Sequence, residues 1–267
     1  MKAIKTTAYL GGFVLTNINK NAIILFMKKI FVLLLLTACA GQGWNAPKDF
    51  IFVPIKSGEY EIATWQKINN PTNKKIHIYI EGDGRAFDAY GRPTSDPTPR
   101  GTFVRDLAVR DSSENVIYMA RPCQFIKTDS CEEVDWTSGR FSQKIIEAES
   151  GVLKRIAKDK KITLIGYSGG AMVSGLMILQ NPKLKFDKWI TVAGVLDHKK
   201  WTSYFGDEDL TESLNMEKLP NVTQIHFVGG RDKTVPYELA KTWTNESDIK
   251  LVPNATHDDF GKIQILE

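Results

Sequence analysis

The chain has 267 residues, of which 42% are hydrophobic and 25% are charged. This balance is typical of a soluble globular protein, and it argues against a disordered chain or a protein with many membrane spans. The formal net charge is +4, but five lysines and no acidic residue lie in residues 1–38. The remaining chain has 30 basic and 31 acidic residues. We therefore expect no nucleic-acid partner.

The N-terminal segment has the pattern of an export signal. Met-Lys-Lys at residues 27–29 is followed by a short apolar run and by small residues before Cys39, which is the order found in cleaved signal peptides. Residues 36–39, Leu-Thr-Ala-Cys, resemble the lipobox of bacterial lipoproteins. This resemblance implies that residues 27–38 are a signal peptide, that Cys39 carries lipid and that residues 39–49 are an anchor and linker. A plain signal peptide or a membrane-anchor helix is the alternative.

Residues 1–26 do not fit such a signal, so we expect Met27 to be the true start and the upstream stretch to be a mis-called gene start. The residue after the lipobox cysteine is Ala40. In enterobacterial lipoproteins an aspartate at that position favours retention in the inner membrane. We therefore expect a membrane contact through an N-terminal lipid anchor, in the bacterial cell envelope and on the periplasmic face of the outer membrane.

Apolar runs alternate with amphipathic stretches from about residue 50 onward. A leading hairpin of two strands is predicted over residues 50–55 and 60–68. Further strands are predicted over residues 75–80, 115–120, 161–165, 189–193, 224–228 and 249–252, and helices over residues 102–110, 142–158, 169–180 and 236–244.

This order of elements predicts the fold class. Strands without polar alternation, such as Ile162–Ile165, are typical of a parallel sheet covered on both faces. We predict one α/β domain over residues 50–267, with a mostly parallel, doubly wound central sheet behind a leading antiparallel hairpin. The connection Thr191–Pro220 has no strong pattern, and long connections of this kind are often functional. A small cap over the site is expected there.

A glycine-rich turn with a central serine, Gly-Tyr-Ser-Gly-Gly over residues 166–170, stands between a predicted strand and a predicted helix. In this setting Gly-x-Ser-x-Gly is typical of the sharp turn that exposes a nucleophilic serine above a sheet. Ser168 is thus the candidate nucleophile. The N–H of Gly169, at the start of the helix, is a candidate donor to an oxyanion. A serine-capped turn without catalysis is the alternative.

A serine hydroxyl needs a base to become a nucleophile, and the chain has four histidines. His77 and His226 lie within predicted strands, where a packing role is expected, and His198 lies on the long connection. His257 follows the last predicted strand, so in a doubly wound sheet it lies at the same edge as Ser168. His257 is therefore the candidate base, with a solvated loop histidine as the alternative.

A carboxylate must orient the imidazole and balance its charge. Asp232 follows the strand predicted over residues 224–228, on the same edge of the sheet, and it is the candidate. A turn or helix-cap role is its alternative. Asp197, which follows the preceding strand, is the competing acid, and Asp258 is too close in sequence to His257 to be its partner.

The order Ser168, Asp232, His257 along the chain is the order found in α/β-hydrolases. From about residue 50 to its end, the chain resembles an α/β-hydrolase-fold protein. A more specific resemblance, to a subgroup of uncharacterised bacterial α/β-hydrolases of which many are exported, rests on Tyr79–Gly84, Ser95–Pro99, Arg121–Gln124, Trp136 and Arg140–Ser142.

The family resemblance also implies a second oxyanion donor in the loop Glu81–Gly84. The backbone N–H of Asp83 is the best match and that of Gly84 is next. Many members have His-Gly in this loop, so the sequence departs from the family pattern here. A carboxylate at Asp83 opposes an oxyanion unless it points away or is paired.

If lipid occupies Cys39, then Cys123 and Cys131 remain, and an oxidising compartment permits a disulfide between them. Two unpaired thiols are the alternative. The sequence contains no Walker loop, no dinucleotide fingerprint and no metal-ligand cluster, so we expect no cofactor and no metal.

These features together predict a lipid-anchored serine hydrolase that cleaves an ester, thioester or amide of a small-molecule or lipid-like acyl substrate. An acyltransferase with the same three residues, or a non-catalytic envelope binding lipoprotein on a hydrolase fold, is the alternative. Trp201, Tyr204 and Phe205 either line an acyl pocket or pack the long connection onto the body. The sequence leaves the oligomeric state open.

Overall fold

The structure of the protein is a computed structural model that describes residues 9–10, 13–14 and 44–265. The chain divides into two units, residues 1–41 and 42–267. In the first unit, the strand Tyr9–Leu10 pairs antiparallel with Phe13–Val14. The predicted signal peptide, residues 27–38, and the predicted lipid site at Cys39 lie outside the described residues.

The second unit is built on one eight-stranded sheet with the strand order β1-β2-β4-β3-β5-β6-β7-β8. The strands are β1 Ile51–Ser57, β2 Tyr60–Ile68, β3 Lys75–Ile80, β4 Asn115–Met119, β5 Lys161–Tyr167, β6 Lys185–Val192, β7 Thr223–Gly229 and β8 Ile249–Val252. Strand β2 pairs antiparallel with β1 and with β4, and every other neighbouring pair is parallel. The predicted leading hairpin and mostly parallel sheet are confirmed.

Five helices lie among the described residues of this unit: α1 Phe103–Arg110, α2 Gln143–Ala157, α3 Gly169–Gln180, α4 His198–Phe205 and α5 Tyr237–Ala240. Two short 3₁₀ helices span Glu133–Trp136 and Glu246–Asp248. None of the helices in the part of the chain that the structure describes has the length and apolar character needed to cross a membrane.

Both faces of the sheet are buried, which explains why its central strands lack polar alternation. Successive side chains of a strand point to opposite faces. Accordingly, Ile78 and Leu164 belong to one hydrophobic cluster, which includes apolar residues of α2 and α3, and their neighbours Tyr79 and Ile165 belong to the other, which includes residues of α1. All four side chains are almost completely buried. The fold is thus a doubly wound α/β sheet covered by helices on both faces.

The long connection after β6 contains helix α4, which the sequence analysis did not predict. Its N-cap is Asp197, whose side chain accepts a hydrogen bond from the N–H of Lys200 at 3.1 Å, and its C-cap is Gly206, at φ +71°. Only His198 and Thr202 of this helix are buried. Because so few positions face the core, the eight-residue helix leaves a weak periodic signal in the sequence.

The helix predicted over residues 236–244 is shorter than expected. It ends after Ala240, where the chain tightens into turns. The N–H of Thr242 donates to the carbonyl of Leu239, and the N–H of Trp243 donates to that of Ala240. These bonds span three residues instead of four, which is the pattern of a 3₁₀ turn.

The loop after β4 is held by a disulfide between Cys123 and Cys131, which are eight positions apart. The nearby Trp136 is buried and donates a hydrogen bond from Nε1 to the carbonyl of Thr94 at 3.0 Å. The disulfide closes the loop on itself, and the Trp136 hydrogen bond connects the loop to the segment that follows β3. A 3₁₀ helix with a reciprocal capping box between Glu132 and Asp135 continues the loop toward α2.

The two strand histidines have different surroundings: His77 is partly exposed and has polar partners, whereas His226 is packed in the core. His77 Nδ1 lies 2.8 Å from Oδ2 of Asp111. His226 is 2% exposed, its Nδ1 lies 2.9 Å from Oγ1 of Thr191, and its ring packs edge-on against Trp189 at 5.2 Å. Burial lowers the pKa of His226 from 6.5 to about 4, because the charged imidazolium is poorly solvated there.

The pKa of His226 makes the fold sensitive to acid. Since the unfolded chain binds a proton at this residue more readily, the free energy of unfolding falls as pH drops below 6.5, and it should lose about 2 kcal/mol between pH 7.5 and pH 5 from this residue. Urea unfolding of the wild type and of His226→Gln at both pH values measures this contribution. The free energy of unfolding of the wild type minus that of His226→Gln should be about 2 kcal/mol lower at pH 5 than at pH 7.5. An equal difference at both pH values would contradict the assignment.

Candidate active site

Ser168 occupies a strained turn between β5 and α3. Its backbone has φ +50° and ψ −122°, a conformation that is costly for any residue except glycine. The turn requires a close approach of strand and helix at Gly166, where a Cβ would lie 2.5 Å from the carbonyl oxygen of Gly170 and 2.7 Å from Cα of Ala171. The strained turn therefore places Ser168 above the carboxyl edge of the sheet, at the N-terminus of α3.

The structure brings Ser168, His257 and Asp232 into one hydrogen-bonded chain. His257 Nε2 lies 3.0 Å from Oγ of Ser168, and His257 Nδ1 lies 2.9 Å from Oδ2 of Asp232. Asp232 follows β7 and His257 follows β8, and parallel strands end at one edge of the sheet. Residues that are 89 and 25 positions apart in the sequence are thus joined through one imidazole.

The Asp232 carboxylate is fully buried, and its second oxygen is occupied. Oδ1 accepts hydrogen bonds from the N–H groups of Thr234 at 2.8 Å and Val235 at 2.9 Å. An ionised carboxylate only accepts hydrogen bonds, so Asp232 favours the tautomer in which His257 carries its proton on Nδ1. That tautomer leaves Nε2 free to accept the proton of Ser168.

Among the described residues, none of the competing candidates forms a hydrogen bond with Ser168 or with the His257 side chain. Asp197 caps α4, and its Oδ1 also accepts a hydrogen bond from Asn215 Nδ2 at 2.9 Å. His198 is 1% exposed, and burial lowers its pKa, with the Arg140 guanidinium adding to the effect. Asp258 is exposed at the rim of the cleft.

The loop Glu81–Gly84 lies directly against the serine. A Cβ added at Gly82 would lie 3.2 Å from Cβ of Ser168. Glu81 fixes the start of the loop, because its buried carboxyl group accepts hydrogen bonds from Tyr118 Oη at 2.7 Å and from the N–H of Gly82 at 2.9 Å. This places the segment predicted to hold the second oxyanion donor beside the candidate nucleophile.

Three backbone N–H groups of the site are available to a ligand. Within residues 44–265, the N–H groups of Asp83, Gly84 and Gly169 donate to no protein acceptor. Gly84 has φ +63°, and a Cβ there would lie 2.1 Å from the carbonyl oxygen of Pro97. The loop conformation therefore depends on glycine at this position.

Two arginines that the sequence analysis did not assign to the site bind the Asp83 side chain. Arg121 Nη1 lies 3.3 Å from Oδ1, and Arg140 Nε lies 3.0 Å from Oδ2. Arg121 Nε also pairs with Glu149 at 2.7 Å. Burial raises the pKa of Glu149 to about 7, although the neighbouring guanidinium of Arg121 opposes this shift. The only sequence signal for these arginines is that both lie in the segments that resemble the hydrolase subgroup.

A cleft of about 470 Å³ opens above Ser168 and His257, within the range of small-molecule sites. Its aromatic walls come from two loops, from the ends of α1 and β5, and from α4: Phe87, Phe141, Phe103, Tyr167 and Trp201.

The aromatic walls also contact the base. The ring of Tyr167 lies 5.3 Å from that of His257 and 5.1 Å from that of Phe103. Trp201 belongs to α4, lines the cleft and donates from Nε1 to the carbonyl of Thr234 at 2.8 Å. Of the three aromatic residues on the long connection, only Trp201 lines the cleft. Tyr204 and Phe205, which complete that set, are 54% and 41% exposed.

The described part of the chain, residues 44–265 together with the two short N-terminal strands, contains no group of three or more His, Cys, Asp and Glu side chains placed to hold a metal ion. The polar groups that converge on the cleft are instead a hydroxyl, an imidazole, carboxylates, guanidinium groups and backbone N–H groups. This set can perform nucleophilic attack, proton transfer and stabilisation of an anion.

Comparison with known proteins identifies the fold. No protein-family model matches the chain, and no curated protein sequence matches it. Among solved structures, Est1E from Butyrivibrio proteoclasticus has a TM-score of 0.55 at 13% identity, covering 79% of this chain and 90% of that chain. An esterase of Pyrococcus furiosus has a TM-score of 0.54 at 15% identity, with coverage of 80% and 86%. Together with the strand order, these likenesses show an α/β-hydrolase fold.

Proposed function

We propose that the protein is a serine hydrolase that cleaves a carboxylic ester, or a related thioester or amide. The observation that carries the proposal is the hydrogen-bonded chain from Ser168 through His257 to Asp232 at the floor of an open cleft. A serine in a strained turn, a histidine within reach of its hydroxyl and a buried carboxylate behind the histidine are the three parts that activate a hydroxyl nucleophile.

In the first half of the reaction, Ser168 Oγ attacks the substrate carbonyl carbon while His257 Nε2 takes the hydroxyl proton. The resulting imidazolium is stabilised by the Asp232 carboxylate. The tetrahedral intermediate then collapses: the bond to the leaving group breaks, and His257 returns the proton to it. The products of this half are an acyl group on Ser168 and a free alcohol, thiol or amine.

In the second half, a water molecule replaces the leaving group. His257 takes a proton from the water as the oxygen attacks the acyl carbon, and it then returns the proton to Ser168 Oγ as the acyl–serine bond breaks. The acid is released, and the serine is restored. All proton transfers pass through one imidazole, so the hydrogen bond from Nδ1 to Asp232 must persist in both halves.

The negative oxygen of each tetrahedral intermediate needs hydrogen-bond donors already in place. The N–H of Gly169 is the first, because it follows the nucleophile and opens the twelve-residue helix α3, whose dipole favours negative charge at this end. The N–H of Asp83 is the second, with that of Gly84 as the neighbouring candidate, since the loop Glu81–Gly84 lies against Ser168.

The cleft supports an acyl substrate of modest size. Its volume of about 470 Å³ and its aromatic walls favour an apolar acyl or aromatic group over a large polar polymer. The names of the similar structures, an esterase from Pyrococcus furiosus and Est1E, agree with ester cleavage. We infer a carboxylic ester of a small-molecule or lipid-like acid as the substrate class.

Fluorophosphonate labelling tests the nucleophile. The wild type should react at Ser168, because the activated hydroxyl attacks phosphorus as it attacks a carbonyl carbon, and Ser168→Ala should lose the label completely. The matched control is Ser203→Ala, which removes an exposed hydroxyl from helix α4 and should label like the wild type. Labelling of Ser168→Ala at the wild-type level would remove Ser168 from the mechanism.

We also propose that lipid on Cys39 holds the protein in the bacterial cell envelope. The support is the sequence pattern of a basic start, a short apolar run and Leu-Thr-Ala-Cys at residues 36–39. One acyl chain alone gives weak, reversible membrane binding, so stable anchoring needs the several chains that a lipoprotein cysteine carries. An envelope location also agrees with the Cys123–Cys131 disulfide, since oxidising compartments preserve such bonds.

Metabolic labelling with an alkyne-tagged fatty acid in a bacterial host tests the anchor. The wild type should incorporate the tag and fractionate with membranes, whereas Cys39→Ala should not incorporate the tag, because no thiol remains for acylation. Gln42→Ala, three residues downstream, is the matched control and should behave like the wild type. Incorporation of the tag into Cys39→Ala would contradict acylation at this residue.

A further inference from the structure

The side chain of Asp83 places a negative charge where the proposed reaction develops another. A Cβ added at Gly169 would lie 2.0 Å from Asp83 Oδ1 and 2.6 Å from its Cγ, so the carboxylate packs directly on the first turn of α3. The N–H groups of these two residues are the proposed oxyanion donors. Charges of the same sign at such short range repel strongly wherever water is displaced. A bare carboxylate here would therefore oppose the reaction.

Each carboxylate oxygen has its own guanidinium partner. Arg121 Nη1 lies 3.3 Å from Oδ1 of Asp83, and Arg140 Nε lies 3.0 Å from Oδ2. The two arginine side chains are only 5% and 6% exposed. Since buried charges are screened little by salt and water, the two cations neutralise Asp83 at close range.

The arginines are themselves fixed from behind. Arg121 pairs through Nε with the fully buried Glu149 at 2.7 Å, and its Nη2 donates to the backbone carbonyl of Arg140. Arg140 Nη1 donates to the carbonyl of Thr137 at 3.1 Å, and its guanidinium packs 5.5 Å from the ring of Phe141. Neither arginine can follow a moving carboxylate, so together they fix where Asp83 lies.

Two carboxyl groups and two guanidinium groups are paired at this point. We call Asp83, Glu149, Arg121 and Arg140 the Asp83 clamp. The other charged residues that line the cleft form no ion pair with these four: Glu81, Arg85, Arg100 and Asp258. Removing one member therefore leaves an uncompensated charge, whereas removing an oppositely charged pair does not.

On the basis of the proposed hydrolase function, we propose that Arg121 and Arg140 are positioning residues. They hold the Asp83 side chain so that the backbone N–H of the same residue stays aimed at the oxyanion. They also cancel the negative charge of the Asp83 carboxylate. The geometry thus assigns the oxyanion loop an ionic support built from two distant segments of the chain. A consequence is distinctive: loss of Arg140 alone should impair catalysis more than loss of Arg140 together with the charge of Asp83.

A double-mutant comparison tests this consequence. The variants are Arg140→Gln and Asp83→Asn combined with Arg140→Gln, both in the full chain. The control is Arg92→Gln, which breaks an exposed ion pair with Asp88 at 2.7 Å. The measurements are the second-order rate of Ser168 phosphonylation by a fluorophosphonate, kcat and KM for a short-chain 4-nitrophenyl ester, and the melting temperature.

Arg140→Gln should slow phosphonylation and kcat by about 10- to 100-fold, somewhat less than the loss of a whole oxyanion donor, with KM changed far less. The double variant should recover at least about tenfold of this loss, because the unpaired carboxylate is gone. A role in packing alone predicts no recovery. A double variant as slow as Arg140→Gln, or an Arg140→Gln as fast as Arg92→Gln, would overturn the proposal.

Two further outcomes are decisive. If Arg140→Gln loses cooperative unfolding, Arg140→Lys takes its place in the comparison. A kcat within about tenfold of the wild type would then support neutralisation of Asp83 by a positive charge at this position. A larger loss in a folded Arg140→Lys protein would overturn the proposal. If the wild type itself fails to react at Ser168, the hydrolase function fails and the clamp fails with it. Normal wild-type labelling with unaffected arginine variants would instead overturn the clamp alone.

Discussion

The hydrogen bond between His257 and Ser168 depends on the parallel arrangement of the central strands. Parallel strands direct all their carboxyl ends to one edge, so the residues that follow β5, β7 and β8 meet there although they are far apart in the sequence. The strained backbone at Ser168 then raises its hydroxyl above the edge. Burial of both faces of the sheet supplies the stability that such strain requires.

Two carboxylates lie at this edge of the sheet, and each has hydrogen-bond or ionic partners. Asp232 is buried against backbone N–H groups, and the partly exposed Asp83 lies between two buried guanidinium groups. The first carboxylate is directed at the imidazole, where the proposed reaction develops a positive charge. The second lies beside the proposed oxyanion, where a negative charge develops, and it alone has cationic partners. The two carboxylates have different partners because the proposed reaction develops charges of opposite sign beside them.

Much of the fold could be predicted from the sequence, because its signals are local. Strands β2, β3 and β8 and helix α3 have the predicted bounds, since apolar runs and turn residues mark their ends. The turn at Ser168 could be identified for the same reason. Helix α4 could not, because only two of its residues face the core.

The ionic support of Asp83 was beyond the sequence for a different reason. Arg121 and Arg140 are polar residues in irregular segments, and no periodicity or spacing relates them to a loop some 40 to 60 positions earlier. The sequence could indicate that a carboxylate in this loop required a partner, because the charge conflict is a matter of chemistry. It could not identify the partner, because the choice depends on how the loops after β3 and β4 fold over the edge.

The proposed reaction depends on Asp232 as the group that makes His257 a base, and the phosphonylation rate of Asp232→Asn measures this dependence most directly. Asparagine keeps the size of the side chain but offers an N–H where a carboxylate oxygen is needed. The rate should fall on the order of 10³- to 10⁴-fold, whereas Asp197→Asn, at the cap of α4, should react like the wild type. Equal rates for the two variants would contradict the account.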